Sequence, residues 1–358
     1  MQNLNIGYGV IKDGNTGQKS TNMDPRVAVV ILNWNGKCLL EKFLPSVIKS
    51  SYDNLQIIVG DNCSTDGSVD YLNLAFPTIK VIQSDKNYGF AEGYNKILSQ
   101  VEADYFILLN SDVEVPENWI KPVIALMESD DQIAAAQPKI KSQSDQSKFE
   151  YAGAAGGFMD QYAYPFCRGR IFETIETDTG QYNDSIEIFW ASGAALFIKS
   201  NYWKKARGLD ADLFAHMEEI DLCWRLKNLG YKIMFCPDAE VYHVGGGSLN
   251  ATNPFKTYLN FRNNLIIMQK NLSSSEAFRM IFIRFLLDLV ALLNFLAKGE
   301  VKFAWAVSKA HFDFFKNFSI THKKKSDVQL PYSEHIGMYH KSIVYQYFIK
   351  KIKHFSRL

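Results

Sequence analysis

Three acid sites along this 358-residue chain are placed where side chains can do chemistry. Asp112, in Leu108-Leu109-Asn110-Ser111-Asp112-Val113, follows Phe106, Ile107, Leu108 and Leu109, which read as a buried strand. A carboxylate at such a strand end lies at the carboxyl edge of an α/β sheet, where ligands bind. Asp61 precedes it at the end of a second apolar run, and Glu218-Glu219-Ile220-Asp221 follows it. A divalent ion of the Mg²⁺ or Mn²⁺ type takes one or two carboxylates plus substrate phosphate oxygens, so Asp112 and a diphosphate would serve, with Asn110 holding water or ribose. One acid of the later cluster can deprotonate an incoming hydroxyl as a general base. A cation, a phosphate-bearing ligand and a base around one crevice make up the toolkit of sugar transfer.

Each of these residues has a plainer reading. Asp61, in Val59-Gly60-Asp61-Asn62, can accept hydrogen bonds from a nucleobase or ribose, or merely cap its loop. The loop Asn87-Tyr88-Gly89-Phe90-Ala91-Glu92-Gly93-Tyr94-Asn95 enters a helix and can admit a ligand to backbone N–H groups, although it is not GxGxxG. His243 ends an apparent strand before Gly245-Gly246-Gly247; imidazole suits Mn²⁺ better than Mg²⁺, while a lone histidine is more often structural. Acids in a first helical turn interact favourably with the helix dipole, which is the bland account of Glu218, Glu219 and Asp221. Three exceed what capping needs, so one is assigned to function and another to capping.

The elements that must position these groups are readable from periodicity. Val27 to Leu32 is a continuous, β-branched apolar run, as in a strand buried on both faces. Helical spacing over about 39–50, a strand at 57–59, a short strand at 80–83, a helix at 93–101 and a strand at 105–109 follow. Strands alternating with helices over the first 135 residues predict a mostly parallel sheet covered on both faces. Residues 137–186 are rich in Gly, Ser, Asp and aromatics and read as loop that shapes a substrate cleft. Apolar Phe189 to Ile198 follows, with Gly193 marking close backbone approach. Then come a helix over 219–229 and strands at 232–235 and 240–242; beyond Pro254 the chain reads as helical.

Composition narrows the class. A chain of 358 residues, 47% hydrophobic, has material for a full core and more than one minimal domain. Formal net charge is +1, which gives no global mark of a nucleic-acid binder. The balance is uneven: from Gly299 onward there are ten lysines and one arginine against two aspartates and two glutamates, a net of +7, so the preceding 298 residues are net acidic by about −6. A basic tail beside apolar residues suits an anionic membrane surface. Five widely spaced cysteines without a CxxC pair point to a reducing compartment, and the N-terminus lacks the pattern of a secretory signal.

Taken together, the segments Val30-Ile31-Leu32-Asn33-Trp34-Asn35-Gly36, Gly60 to Gly67, Asn87-Tyr88-Gly89-Phe90-Ala91, Leu109-Asn110-Ser111-Asp112, His216 to Arg225 and Val241 to Gly247 resemble the inverting family 2 glycosyltransferases of GT-A fold, in particular rhamnosyltransferase-like enzymes. The resemblance runs in order over roughly 26–270. It implies that Asn33 and Asp61 lie against the base and ribose, and that Asp112 and His243 hold the metal (Mn²⁺ or Mg²⁺) that bridges the donor diphosphate. It makes Glu219 the catalytic base, with Glu218 as fallback. Asn35, Asn87, Gly89, Asn95 and Asn110 count as donor-side candidates. Trp190 and Asp221 are expected on the acceptor side, and Arg262 either reaches the diphosphate or is a surface helix arginine. Two departures stand out: Asn110 replaces the first acid of the DxD-type motif, and Glu replaces the more usual Asp at the base.

The implied donor is a dTDP- or UDP-sugar, and the implied acceptor a saccharide or lipid-linked saccharide, in bacterial surface polysaccharide assembly. The segment from Glu276 to Lys298 is apolar except for Arg284 and Asp288, spaced i, i+4, which suits an interfacial helix better than a spanning one. Ordinary packed helices or a homodimer interface are the alternatives. The expected organisation is a flexible extension at 1–25, a nucleotide-sugar-binding half at 26–135, an acceptor and catalytic half at 136–265, and an amphipathic, basic helical extension at 266–358. Localisation is expected in the cytoplasm, peripheral on the inner face of the membrane. A sugar nucleotidyltransferase would want a glycine- and lysine-rich loop after the first strand, for which Asn33-Trp34-Asn35-Gly36-Lys37 is sparse; a non-catalytic nucleotide-sugar sensor would survive loss of Glu219.

Overall fold

A computed structural model describes residues 24–245, 253–326 and 328–358. Residues 1–23 of the expected N-terminal extension, and Gly246 and Gly247 of the glycine run, lie outside the described residues. The order is β1 (Val27–Asn33), α1 (Lys37–Ile48), β2 (Leu55–Asp61), α2 (Ser68–Ala75), β3 (Lys80–Gln83), α3 (Gly89–Leu98), β4 (Tyr105–Leu109), β5 (Val113–Glu114), α4 (Ile120–Glu128) and β6 (Ile133–Ser142). After these come β7 (Gly157–Asp160), β8 (Pro165–Cys167), β9 (Arg170–Ile171), β10 (Thr174–Ile175), β11 (Ile186–Glu187), β12 (Ala195–Lys199), α5 (Ser200–Lys205), α6 (Glu218–Asn228) and β13 (Lys232–His243). The C-terminal part holds α7 (Pro254–Asn271), α8 (Ser274–Ala297), α9 (Val301–Lys316), α10 (Phe318–Lys323) and β14 (Met338–Tyr339).

The main sheet has nine strands in the order β11-β13-β6-β12-β4-β1-β2-β3, with β5 pairing β13. Strands β3, β2, β1 and β4 are parallel, and β12 runs antiparallel to both β4 and β6. Strand β1 shows why both faces must be covered: Ala28 and Val30 pack into one core with Tyr94 and Ile97 of α3, while Val27, Val29 and Ile31 pack into another with Leu40 and Leu44 of α1. Removing each of the valine, leucine and isoleucine side chains from water contributes roughly 1.5–3 kcal/mol. The predicted alternation of strands and helices is what the sheet contains.

Three stretches differ from the sequence reading. Residues 137–186 hold the end of β6 and most of a second sheet, β10-β9-β8-β7-β14. Its strands are two to four residues long, too short to show a period of two. The two strands expected at 232–235 and 240–242 are one, β13, whose register against β6 shifts between Cys236 and Glu240 around Pro237. The boundary expected at 265/266 falls inside α7, and beyond 328 the tail has only short helical turns, at Tyr332–Glu334, Tyr345–Ile349 and Phe355–Arg357: Met338 and Tyr339 pair with Met159 and Asp160, and Tyr332 and Ile343 are buried. All five cysteines are free thiols, Cys38 and Cys63 exposed and the other three buried.

Candidate active site

The first cluster forms where β1 and β2 end side by side, with Asn33 opposite Asp61 in register. Asn33 Nδ2 donates to Asp61 Oδ2 at 3.0 Å and to Ser64 Oγ at 3.1 Å, and the Ser64 backbone N–H donates to Asp61 Oδ1 at 2.9 Å. Asn33 Oδ1 is buried without a partner. Asn35 accepts from the Thr65 N–H at 2.8 Å and is exposed, and Asn87 accepts from the Gly89 N–H at 2.8 Å and from Asn62 Nδ2 at 2.9 Å. Gly89, at φ +74°, opens α3, and a Cβ there would meet the Phe214 ring at 2.6 Å. Only glycine fits this turn.

The second cluster is set by strand pairing. β5 pairs antiparallel with the end of β13, placing Val113 against His243. That register brings Asp112 Oδ1 within 3.1 Å of His243 Nε2, with both residues buried. Asn110 Nδ2 lies 3.4 Å from the same imidazole nitrogen. Behind the ring, Glu150 Oε2 is 3.1 Å from His243 Nδ1. Gly245, at φ +74°, sits in the left-handed region that favours glycine, and a Cβ there would lie 2.5 Å from Glu150 Oε1. Sequence reasoning missed Glu150, because no spacing ties it to a histidine 93 positions later.

Among the described residues no group of three His, Cys, Asp or Glu side chains could hold a metal by itself. The pair present nevertheless fits a cation whose remaining ligands come from a diphosphate. Donors roughly 2.1 Å from an octahedral ion stand about 3 Å apart when adjacent, and Asp112 Oδ1 and His243 Nε2 are 3.1 Å apart. A carboxylate on the far nitrogen of a ligating imidazole is the usual support for such a site.

The third cluster opens α6. Phe214, His216 and Met217, just before the helix, all have positive φ (63°, 66° and 73°), a costly backbone that surrounding contacts must hold in place. Asn263 of α7 supplies them: its Nδ2 lies 2.9, 3.0 and 2.7 Å from the carbonyls of Leu213, Ala215 and His216. The turn presents Glu218 and Glu219, each with a buried Oε2 that has no hydrogen-bond partner. Burial, then the neighbouring Glu219, pushes the Glu218 carboxyl well above its ordinary range; burial pushes Glu219 up to about 7. A Cβ on Gly193 would be 3.9 Å from Glu219 Cβ and 3.6 Å from the Phe90 ring, ordinary contacts, so the close approach expected there is not what selects glycine. The next residue, Ala194, accepts the Asn110 N–H, which ties this turn to the strand end that carries Asp112.

Four expected site residues serve the scaffold instead. Asp221 is fully buried; its oxygens accept from Lys270 Nζ, Arg225 Nε and Asn271 Nδ2, each at 2.9 Å, so three of its four lone-pair directions are taken and burial closes it to an acceptor sugar. Burial alone would raise its pKa, but Lys270 and Arg225 outweigh that and hold it below the usual carboxylate range. Trp190 is 4% exposed and donates to the Phe158 carbonyl over Gly157. Asn95 bonds both backbone groups of Leu209. Arg262 donates to the carbonyls of Asp212 and Leu213, steadying the turn before α6. Removing one partner of a buried ion pair costs about 3–5 kcal/mol, so Asp221→Ala is expected to lower stability by that order in urea unfolding. Because the folded pKa of Asp221 is depressed, its contribution is present above the unfolded carboxylate pKa and is lost as pH falls through the folded value. The Asp221→Ala penalty therefore shrinks in acid; a penalty independent of pH would contradict the ion-pair account.

Known proteins resemble this chain in sequence and in fold. Residues 28–195 match glycosyl transferase family 2. The chain is 23% identical over 229 residues to N-acetylglucosaminyl-diphospho-decaprenol L-rhamnosyltransferase of Mycobacterium tuberculosis, covering 60% of this chain and 75% of that protein. It is 21% identical over 233 residues to the rhamnosyltransferase WbbL of Escherichia coli, covering 61% and 83%. Among solved structures it resembles GalNAc-T7 with UDP, GalNAc and Mn²⁺ (TM-score 0.54, 17% identity, 71% of this chain and 49% of that one). It also resembles the mannosyltransferase PcManGT from Pyrobaculum calidifontis with GDP-Man and Mn²⁺ (TM-score 0.50, 13% identity, 83% and 76%). At these identities the structures speak to the fold, which is GT-A with a C-terminal helical region. Residues 28–195 of this chain therefore form a family 2 glycosyltransferase domain.

Proposed function

We propose that this chain transfers a sugar from a dTDP- or UDP-sugar to a saccharide or lipid-linked saccharide acceptor, with inversion, in bacterial surface polysaccharide assembly. The observation that carries the reading is the Glu218–Glu219 pair at the start of α6, each with one buried carboxylate oxygen that has no partner, Glu219 lying next to Gly193, whose neighbour Ala194 accepts from Asn110. Buried carboxylates without partners cost stability, and a site that keeps two of them uses them. Asp61 and Asn33 bind the nucleoside. Asp112 and His243 would hold the divalent cation, which when bound offsets negative charge on the leaving diphosphate. Glu219 accepts the acceptor hydroxyl proton at its free Oε2 as the hydroxyl oxygen attacks the anomeric carbon from the face opposite the diphosphate, which leaves. No enzyme nucleophile takes part, so configuration inverts. On this reading residues 26–135 serve the nucleotide and 136–265 the acceptor.

The rhamnosyltransferase relatives, one of them named for a diphospho-decaprenol substrate, support a lipid-linked acceptor. Contact with the membrane surface is supported by α8, among the described residues the one helix long and apolar enough to cross a bilayer. Its charged pair argues that it lies flat instead: Arg284 and Asp288 turn into the protein and bond Asn264, Tyr164 and His311. A helix held sideways against its own domain suits an interface.

The test is a thermal-shift screen of nucleotide sugars with and without Mn²⁺, followed by transfer assays on stabilising donors. One dTDP- or UDP-sugar is expected to raise Tm only when Mn²⁺ is present, as binding to the native state requires. A panel in which no nucleotide sugar shifts Tm and none is consumed would refute the donor assignment.

A further inference from the structure

The helix α8 is amphipathic the wrong way round for a solvated surface. Arg284 and Asp288 are 3% and 0% exposed, whereas Phe278 and Phe282 are 78% and 61% exposed. Trp305 and Phe312 of α9 are 68% and 67% exposed and continue the apolar face. Lys302, Lys309 and Lys316 recur every seven residues on α9 beside that stripe.

Along the first three turns of α8 this face is cut by a cavity of about 540 Å³. Ile281, Phe282 and Phe285 form one wall, Phe315 and Phe318 the other. The groove runs from Ser274 to Phe285, roughly 16 Å at 1.5 Å per residue. Its polar end holds His322 and Lys325, and Lys325 Nζ donates to Ser274 Oγ at 3.0 Å. Among the described residues no carboxylate lies within 4.0 Å of this ammonium. Burial holds the pKa of Lys325 below its ordinary value, only partly opposed by Glu276, and a phosphate oxygen at this end of the groove would make a charge-assisted hydrogen bond with its ammonium.

We propose that this groove seats one hydrocarbon chain of a phosphate-headed bilayer lipid, its phosphate against Lys325 and His322. The proposal rests on the membrane-surface reading above and gives it a specific site. Charge decides against a second copy of the chain: a two-fold contact across this face would bring the exposed Lys302 and Lys316 of one copy towards those of the other. An anionic lipid surface neutralises the same charge.

Dodecyl phosphate, below its micelle concentration, is the probe for calorimetry on the full chain; dodecanol and inorganic phosphate are the controls. One saturable site for dodecyl phosphate is expected, with dodecanol at least tenfold weaker and inorganic phosphate silent. Ile281→Trp, or Phe282→Asp should the first variant misfold, abolishes binding, and Lys325→Gln reduces dodecyl phosphate to the level of the alcohol. Sedimentation of Ile281→Trp with phosphatidylglycerol vesicles persists, since the outer face is intact. Equal binding of alcohol and phosphate, or full binding by both groove variants, overturns the lipid site while leaving the membrane reading standing. Failure of the unaltered chain to sediment with the vesicles overturns both. A concentration-dependent dimer dissolved by Phe282→Asp assigns the face to a second copy and overturns the proposal.

Discussion

Glu219→Gln is expected to lower kcat by about 10²–10⁴-fold, the usual contribution of a positioned general base, while donor affinity measured by Mn²⁺-dependent calorimetry stays unchanged. Glutamine keeps the shape and removes the proton acceptor. The pH profile separates this from a merely structural role. Burial pushes Glu219 up to about 7, so kcat/KM rises through about pH 7 and flattens above it, and the residual activity of the variant lacks that limb. Stability moves the opposite way. The folded pKa lies above the unfolded value of about 4.3, so between the two the folded state holds more protons and loses stability as pH rises. Glu219→Gln is therefore expected to be more stable than the parent at pH 8 by the order of 1–3 kcal/mol, with the gain gone below about pH 4. A variant that turns over normally moves the base to Glu218, whose glutamine variant is the matched control; equal stability at both pH values would mean that the carboxyl is solvated rather than buried.

The sheet was legible because its strands are long and buried on two faces, so that Val27 to Leu32 and Phe106 to Leu109 stand out as runs. The acids followed, since a strand end fixes where a carboxylate sits. Asp221 was not legible: it shares the first turn of α6 with Glu218 and Glu219, and the sequence does not say which of three acids points at Lys270 of a helix 49 residues later. Trp190 and Asn95 are polar-tipped residues next to real site segments, and their partners, the Phe158 and Leu209 backbones, come from elements with no periodic signal. Glu150 and Asn263 failed for the converse reason. Each acts through another group, Glu150 on the His243 ring and Asn263 on the three carbonyls before α6, and such supporting roles are defined by tertiary distance alone. The small second sheet escaped because Arg170–Ile171 and Thr174–Ile175 pair over only two residues.

Asp112→Ala is expected to eliminate Mn²⁺-dependent donor binding, with a loss in affinity beyond about 100-fold, because support of a metal ligand is itself worth about 10–100-fold and a ligand is worth more. The fold is expected to survive. His243 keeps Glu150 3.1 Å from Nδ1, and the β5–β13 pairing that carries both residues runs through backbone groups that the substitution does not touch. Chelation of the parent enzyme reproduces the variant: EDTA removes the donor-induced rise in Tm, and added Mn²⁺ restores it in the parent but not in Asp112→Ala. Glu150→Gln falls between them. It keeps an oxygen beside Nδ1 but loses the charge that makes Nε2 a better donor to the cation, so Mn²⁺ titration by electron paramagnetic resonance is expected to show affinity weakened by about 10-fold or more. That order of effects follows from Asp112 and His243 as ligands with Glu150 behind the ring. If Glu150→Gln weakened Mn²⁺ more than Asp112→Ala did, Glu150 would itself be the ligand, and the Asp112–His243 contact would be an ordinary buried ion pair.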